Sequence, residues 1–183
     1  MLILLAGPSG VGKNSVINEL LSRRDNLKIM YTCTSRPPRK KDDGAFIHLS
    51  KEEFEKKIVA GEFFEYENVH ADIFYGTPYS SLQKVIEGKE DYIKDIDVNG
   101  IQKLKKYLTG KVKVVTIFLD SPDAELRARL KKRGESDEMI DKRLSRAAFE
   151  RSFKNKFDIQ LDNDTISTTA DQIEKAIFGS VTK

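Results

Sequence analysis

The run Gly7-Pro8-Ser9-Gly10-Val11-Gly12-Lys13-Asn14 follows the aliphatic stretch Leu2–Ala6. Gly7, Gly12 and Lys13 have the spacing of a phosphate-binding loop, in which glycine, four residues, glycine and lysine precede Ser or Thr. Here Asn14 holds the hydroxyl position, and Ser15 comes one step late. Glycines at 7, 10 and 12 let several backbone N–H groups and a helix N-terminus face one anion. Pro8, Ser9 and Val11 complete that loop, and Lys13 brings a mobile positive charge for β and γ phosphates. The usual hydroxyl serves magnesium, and an amide oxygen can also ligate a hard cation, directly or through water. Asn14 is therefore the candidate metal ligand.

Such a loop needs a strand before it and a helix after it. Leu2–Ala6 reads as a continuous, fully buried strand. From Lys13 to Arg24, Val16, Ile17, Leu20 and Leu21 recur at helical spacing, so a helix opens on the loop and points its N-terminus at it. Further strands are expected at Lys28–Thr32, Tyr92–Ile96 and Val112–Leu119, and helices at Gly100–Leu108, Asp123–Lys132, Asp137–Phe153 and Thr169–Phe178. This alternation predicts an α/β domain on a mainly parallel sheet flanked by helices. Between Thr34 and Gly88 the texture changes, with a basic run, a short helix near Lys51–Ala60 and an aromatic segment, and this reads as an excursion from the sheet. The arginine-rich stretch from Arg127 to Arg146 predicts a helix–loop–helix flap.

At 183 residues the chain fits one domain of ordinary size. With 39% hydrophobic and 33% charged residues it reads as soluble and globular, and a net charge of only +3 gives no reason to expect a nucleic-acid partner. The aliphatic run at the start is too short for a membrane span, and no cleavage region follows it, so a cytoplasmic location is expected. One cysteine, Cys33, excludes an internal disulfide, and two histidines, His48 and His70, offer no zinc-ligand spacing.

Six segments in order carry a resemblance that covers nearly the whole chain. After the phosphate loop come "TSRPPR" with Arg36 and Arg39, "FFEY" with Glu65, "YGT" at Tyr75–Thr77 and "DIDVNG" at Asp95–Gly100. They are followed by "RLKKRGESDEMIDKRL" from Arg129 and "FDIQLDND" from Phe157. This series resembles the guanylate kinases, nucleoside monophosphate kinases with a P-loop NTPase-type core. The resemblance implies transfer of a phosphoryl group from ATP to GMP, and to dGMP as well, with Mg2+. It implies one domain, with a core of residues 1–33, 89–132 and 146–183, a GMP-binding region of 34–88 and a lid around 133–145 that closes over bound nucleotides.

The same resemblance implies roles for particular residues. Arg36 and Arg39 would hold the acceptor phosphate, and Arg129, Arg133 and Arg143 would reach the transferring group and ATP. Glu65 would accept from both guanine N1–H and its exocyclic amine, Asp97 would reach that amine, and the Thr77 hydroxyl would lie near O6. Thr32, Phe46 and Tyr75 fall at acceptor-site positions. Asn163 matches a position near the adenine, although an Asn-Asp turn explains it equally. Asp95 would orient an arginine or metal-bound water, or cap the strand end. The residue types suit the reaction, because two anions must be brought together and guanidinium groups fork onto phosphate oxygens. No general base is needed, since the acceptor phosphate is already an anionic nucleophile.

The chain departs from the pattern at three places. Asn14 replaces the loop hydroxyl, Ala45-Phe46 stands where Asp-Tyr is usual, and the segment at 40–45 is shortened. Phe46 lacks the phenol that would help hold the acceptor phosphate, and Lys40 and Lys41 add charge nearby. Two other readings stay open from sequence: a related kinase for another nucleotide monophosphate or a ribosyl phosphate, and a non-catalytic binding module of the same fold. Sequence leaves monomer and homodimer equally open.

Overall fold

Five short segments pair into one sheet: β1 (Leu2–Ala6), β2 (Leu27–Ile29), β7 (Asp91–Asp95), β8 (Val114–Asp120) and β9 (Ile159–Asp162), in the order β2-β7-β1-β8-β9. The sheet is parallel and flanked by helices, and the computed structural model that shows it describes residues 1–38, 45–70 and 73–179. Every residue of β1 is fully buried, as expected for a parallel strand covered on both faces. It runs beside β8 from Leu2↔Val114 to Ala6↔Phe118. β8 in turn runs beside β9, ending at Asp120↔Asp162. The loops after β1, β8 and β9 therefore leave from one edge of the sheet, the carboxyl edge, where ligands bind in open α/β sheets.

The chain divides into two units, one formed by Met1–Leu27 with Ile93–Lys183 and the other by Lys28–Tyr92. In the first, α1 (Lys13–Arg23) packs on α7 (Ile166–Phe178), α4 (Val98–Leu108) against β8, and α5 (Asp123–Lys132) on α6 (Asp137–Arg151). The amphipathic spacing of α4 explains its docking, because Val98, Ile101, Leu104 and Leu108 are all buried. An ion-pair cluster ties α1 to α7: Arg23 reaches Asp171 at 2.6 Å and the fully buried Glu174 at 3.2 Å, and Arg24 reaches Glu174 at 2.8 Å.

The second unit is more than an excursion. It holds its own four-stranded sheet, β4-β3-β6-β5, from β3 (Thr32–Thr34), β4 (Phe46–His48), β5 (Phe63–His70) and β6 (Ile73–Pro78), with helices α2 (Lys51–Val59) and α3 (Tyr79–Glu87). Cys33, Phe54 and Phe63 form its core, and the rings of Phe54 and Phe63 stack at 4.4 Å. A capping box starts α2, with Ser50 accepting from Glu53 N and Glu53 accepting from Ser50 N.

Two expectations change here. The single strand read at Lys28–Thr32 is two strands, β2 and β3, in different sheets, because the chain crosses between units at Leu27 and Lys28. β9 and α3 had no counterpart in the sequence reading. The flap keeps its expected form: α5 ends at Lys132, Ser136 caps α6 and only residues 133–136 join them, while α6 stops at Arg151, two residues before the expected Phe153.

Candidate active site

The phosphate loop joins β1 to α1 along the carboxyl edge of the sheet. Gly7 has φ +139°, and a Cβ there would lie 2.0 Å from the Leu119 carbonyl oxygen, so only glycine lets the loop turn this close to β8. Gly12, at φ +103°, is the N-cap of α1 and contributes no capping side chain. The first N–H groups of α1 are thereby left to the loop and to an anion.

Lys13 folds over this loop, its Nζ donating to Gly7 O at 2.6 Å and Pro8 O at 3.3 Å. Burial lowers its pKa, and the carboxylates of Asp95 and Glu150 partly offset that effect while Arg133 and Arg146 add to it. Asp95 closes β7, so this carboxylate faces the lysine from the neighbouring strand end. Glu150, absent from the sequence-based site, is buried on α6 and lies 3.4 Å from Arg146. Its own pKa is raised, chiefly by burial, with Lys13 and Arg146 pulling it back down. The signal for it was the carboxylate on the stripe Ile140, Ala147, Glu150, otherwise the apolar face of α6.

The expected arginines take different stations. Arg143 donates from Nη1 to Ser9 Oγ at 3.0 Å, and its Nε sits 2.6 Å from Glu135. Arg129 donates to Val11 O at 3.1 Å, to Asn163 O at 3.1 Å and to Glu125 at 2.9 Å. Arg133, at the end of α5, is exposed. It lines a cavity of about 500 Å³ with Gly10, Gly12, Ser15, Asn163 and Thr165. Asn14 is exposed on the first turn of α1. Asp97 caps α4, one carboxylate oxygen accepting from Asn99 N at 2.8 Å and Gly100 N at 3.0 Å.

In the second unit, strand register brings Glu65 opposite Thr77. Thr77 is 2% exposed, and its hydroxyl lies 3.5 Å from Glu65 Oε1, a cross-strand pair on one face. Arg36 is buried, its guanidinium 5.5 Å from the centre of the Phe46 ring. Phe46 in turn meets Tyr75 edge-on at 6.0 Å. The ring that lacks a phenol thus supports Arg36 through its face. Thr34 and His48 fix the Arg36 backbone, Thr34 Oγ1 accepting from its N–H at 3.2 Å and His48 Nδ1 lying 2.7 Å from its carbonyl. Thr32 leads β3 and donates its N–H to Ala45 O. Arg39, Lys40 and Lys41 lie outside the described residues.

The family model described as guanylate kinase matches residues 1–180. The chain belongs to the guanylate kinase family. It is 40% identical to a guanylate kinase of Porphyromonas gingivalis, over 100% of this chain and 98% of that protein. It is 38% identical to one of Prochlorococcus marinus, over 96% of each. Among solved structures it is similar to the crystal structure of guanylate kinase from Anaplasma phagocytophilum, with a TM-score of 0.69 and 28% identity over 98% of this chain and 84% of that one. Among the described residues no helix is long and apolar enough to cross a membrane.

Proposed function

We propose that this member of the guanylate kinase family transfers the γ-phosphoryl group of ATP to GMP, and to dGMP, giving ADP and the diphosphate. One observation carries the choice of acceptor: Glu65 and Thr77 stand opposite each other on β5 and β6, a carboxylate beside a hydroxyl on one face. Guanine offers N1–H and a 2-amino group side by side, which suit the carboxylate, and O6, which suits the hydroxyl. Adenine would not offer the carboxylate that pair of donors, and a site built for polar partners rejects such an analogue strongly.

The donor end supplies positive charge. Backbone N–H groups at Gly10–Lys13 face the β and γ phosphates, Lys13 follows the transferring group, and Arg133 and Arg143 approach it from α5 and α6. The transition state is loose, with charge spread over three equatorial oxygens, so positioning and neutralisation make up most of the catalysis. Arg36, steadied by Phe46, holds the acceptor phosphate, and Arg39 is assigned to the same phosphate by its motif alone. Tyr75 belongs to the same acceptor pocket, and Asp97 is assigned to the guanine amine by its motif.

Magnesium fits the residues present. Asn14 offers an exposed amide oxygen at the start of α1, and Asp95 faces Lys13 as a carboxylate able to hold metal-bound water. Among the described residues no cluster of three or more His, Cys, Asp or Glu could grip a cation alone, so nucleotide phosphates and water would supply the remaining ligands. Bound there, the ion would neutralise charge on the β and γ oxygens. We place the enzyme in the cytoplasm, with the nucleotides it uses.

The test is initial rates of ADP formation with GMP, dGMP, AMP, UMP, CMP and a ribosyl phosphate, each with and without magnesium. Magnesium-dependent turnover confined to guanine nucleotides is expected. Equal or faster turnover of another acceptor would overturn the assignment. Silence on all of them with ATP still bound would make this a binding module.

A further inference from the structure

We propose that Asn163 is a positioning residue that aims the phosphate loop, and that it does not read the donor base. The inference rests on taking Gly7–Asn14 as the donor-phosphate loop. Asn163 is 3% exposed, and its polar groups are engaged within the protein. Its Nδ2 donates to the Val11 carbonyl, its Oδ1 accepts from Thr169 Oγ1 at 2.7 Å, and its N–H donates to Asp120 O at 2.8 Å. Its carbonyl accepts from Ser121 Oγ at 3.2 Å and from Arg129 at 3.1 Å. A carbonyl only accepts, so Val11 O must face the amide nitrogen, which fixes the orientation of the side chain. That leaves a single N–H on a nearly inaccessible group for any base.

What the contact accomplishes follows from peptide geometry. In a trans peptide the C=O and the next N–H point in opposite directions. Two donors from different elements, Asn163 Nδ2 and Arg129 Nη1, hold Val11 O on one side, and this turns the Gly12 N–H to the other. Gly12 is the N-cap of α1 and precedes Lys13, so the anchored peptide plane sets the direction of the donor at the helix entrance. Gly12 is also confined against the same side chain, since a Cβ there would lie 2.7 Å from Asn163 Nδ2. Thr169, 1% exposed on α7, keeps the amide from rotating. Asn163 thus links β8, α5 and α7 to one carbonyl of the loop.

The test compares Asn163→Ala and Thr169→Val with the wild type in calorimetric binding of ATP and of inosine triphosphate, which lacks the 6-amino group, alongside KM for GMP. Asn163→Ala leaves a buried carbonyl short of a donor. Affinity for both triphosphates should therefore fall by the same factor, about 10- to 100-fold. Thr169→Val, nearly isosteric, should lower both equally by a smaller factor, and KM for GMP should change less than twofold in each variant. A loss confined to ATP would make Asn163 a base reader, and unchanged binding of both triphosphates in the folded variants would remove its role. If Asn163→Ala fails to fold, Thr169→Val alone decides between these outcomes. Binding of donor is read without acceptor, so failure of GMP turnover in the wild type would sink the proposed function and leave this comparison standing.

Discussion

Lys13 is the residue on which the donor end turns. Replacing it with Ala should lower turnover by about 10²- to 10³-fold, the usual cost of one preorganised donor at developing charge, with KM for GMP little changed. Steady-state rates at saturating ATP check this, and a variant as fast as wild type would remove the loop from catalysis. Its titration gives a second expectation. The charged ammonium is the working form, so activity is present below its pKa and lost as pH rises through it. Burial has lowered that pKa, so the alkaline limb of kcat/KM for ATP should come at lower pH than an exposed lysine would give. Glu150→Gln removes one of the carboxylates that support the charge and should move the limb lower still. A limb that stays in place would show that Glu150 does not act on Lys13. At the acceptor end, Glu65→Ala should reduce kcat/KM for GMP by at least about 100-fold while leaving the poor rate with AMP nearly unchanged. A preserved GMP to AMP ratio would put base recognition elsewhere.

Elements hold these residues through contacts that can be measured as stability. Gly7→Ala would place a methyl group 2.0 Å from Leu119 O at a φ that side chains avoid. The loss should be about 3 kcal/mol or more in urea denaturation, and wild-type stability would contradict the close approach of loop and β8. Ser50→Ala removes one half of the capping box of α2 and should cost about 1 kcal/mol in the same assay. The strand elements differ in how well their sequences announced them. β1 and most of β8 are continuous apolar runs, and α4 has a clear apolar stripe, so each is legible locally. β9 is four residues, Ile159–Asp162, with partly buried and exposed positions alternating, and its pairing with β8 is what makes it a strand. α3 begins directly after Pro78 at the end of β6, inside the stretch that reads in sequence as an excursion from the sheet.

For the whole molecule, the two units predict separate footprints in amide hydrogen exchange. GMP alone should protect amides within Lys28–Tyr92, on β3, β5 and β6 above all, and ATP alone should protect the loop of Gly7–Lys13 and the start of α7. Protection by GMP confined to the other unit would contradict the acceptor assignment of Glu65, Thr77 and Arg36.

The sequence by itself determined the class of chemistry and the order of the parts. The spacing of Gly7, Gly12 and Lys13 between a strand and a helix is a local arrangement, and so are the burial of β1 and the amphipathic faces of the helices. Glu65 and Thr77 are each named from motif, but only the β5–β6 register puts them face to face. Tertiary structure alone decided what the remaining polar groups do. Arg129 and Asn163 reach Val11 across 118 and 152 residues of chain. A side chain's type states which hydrogen bonds it can make. Which it does make depends on the backbone groups that folding brings within about 3 Å of it, and for distant partners no spacing along the chain records that.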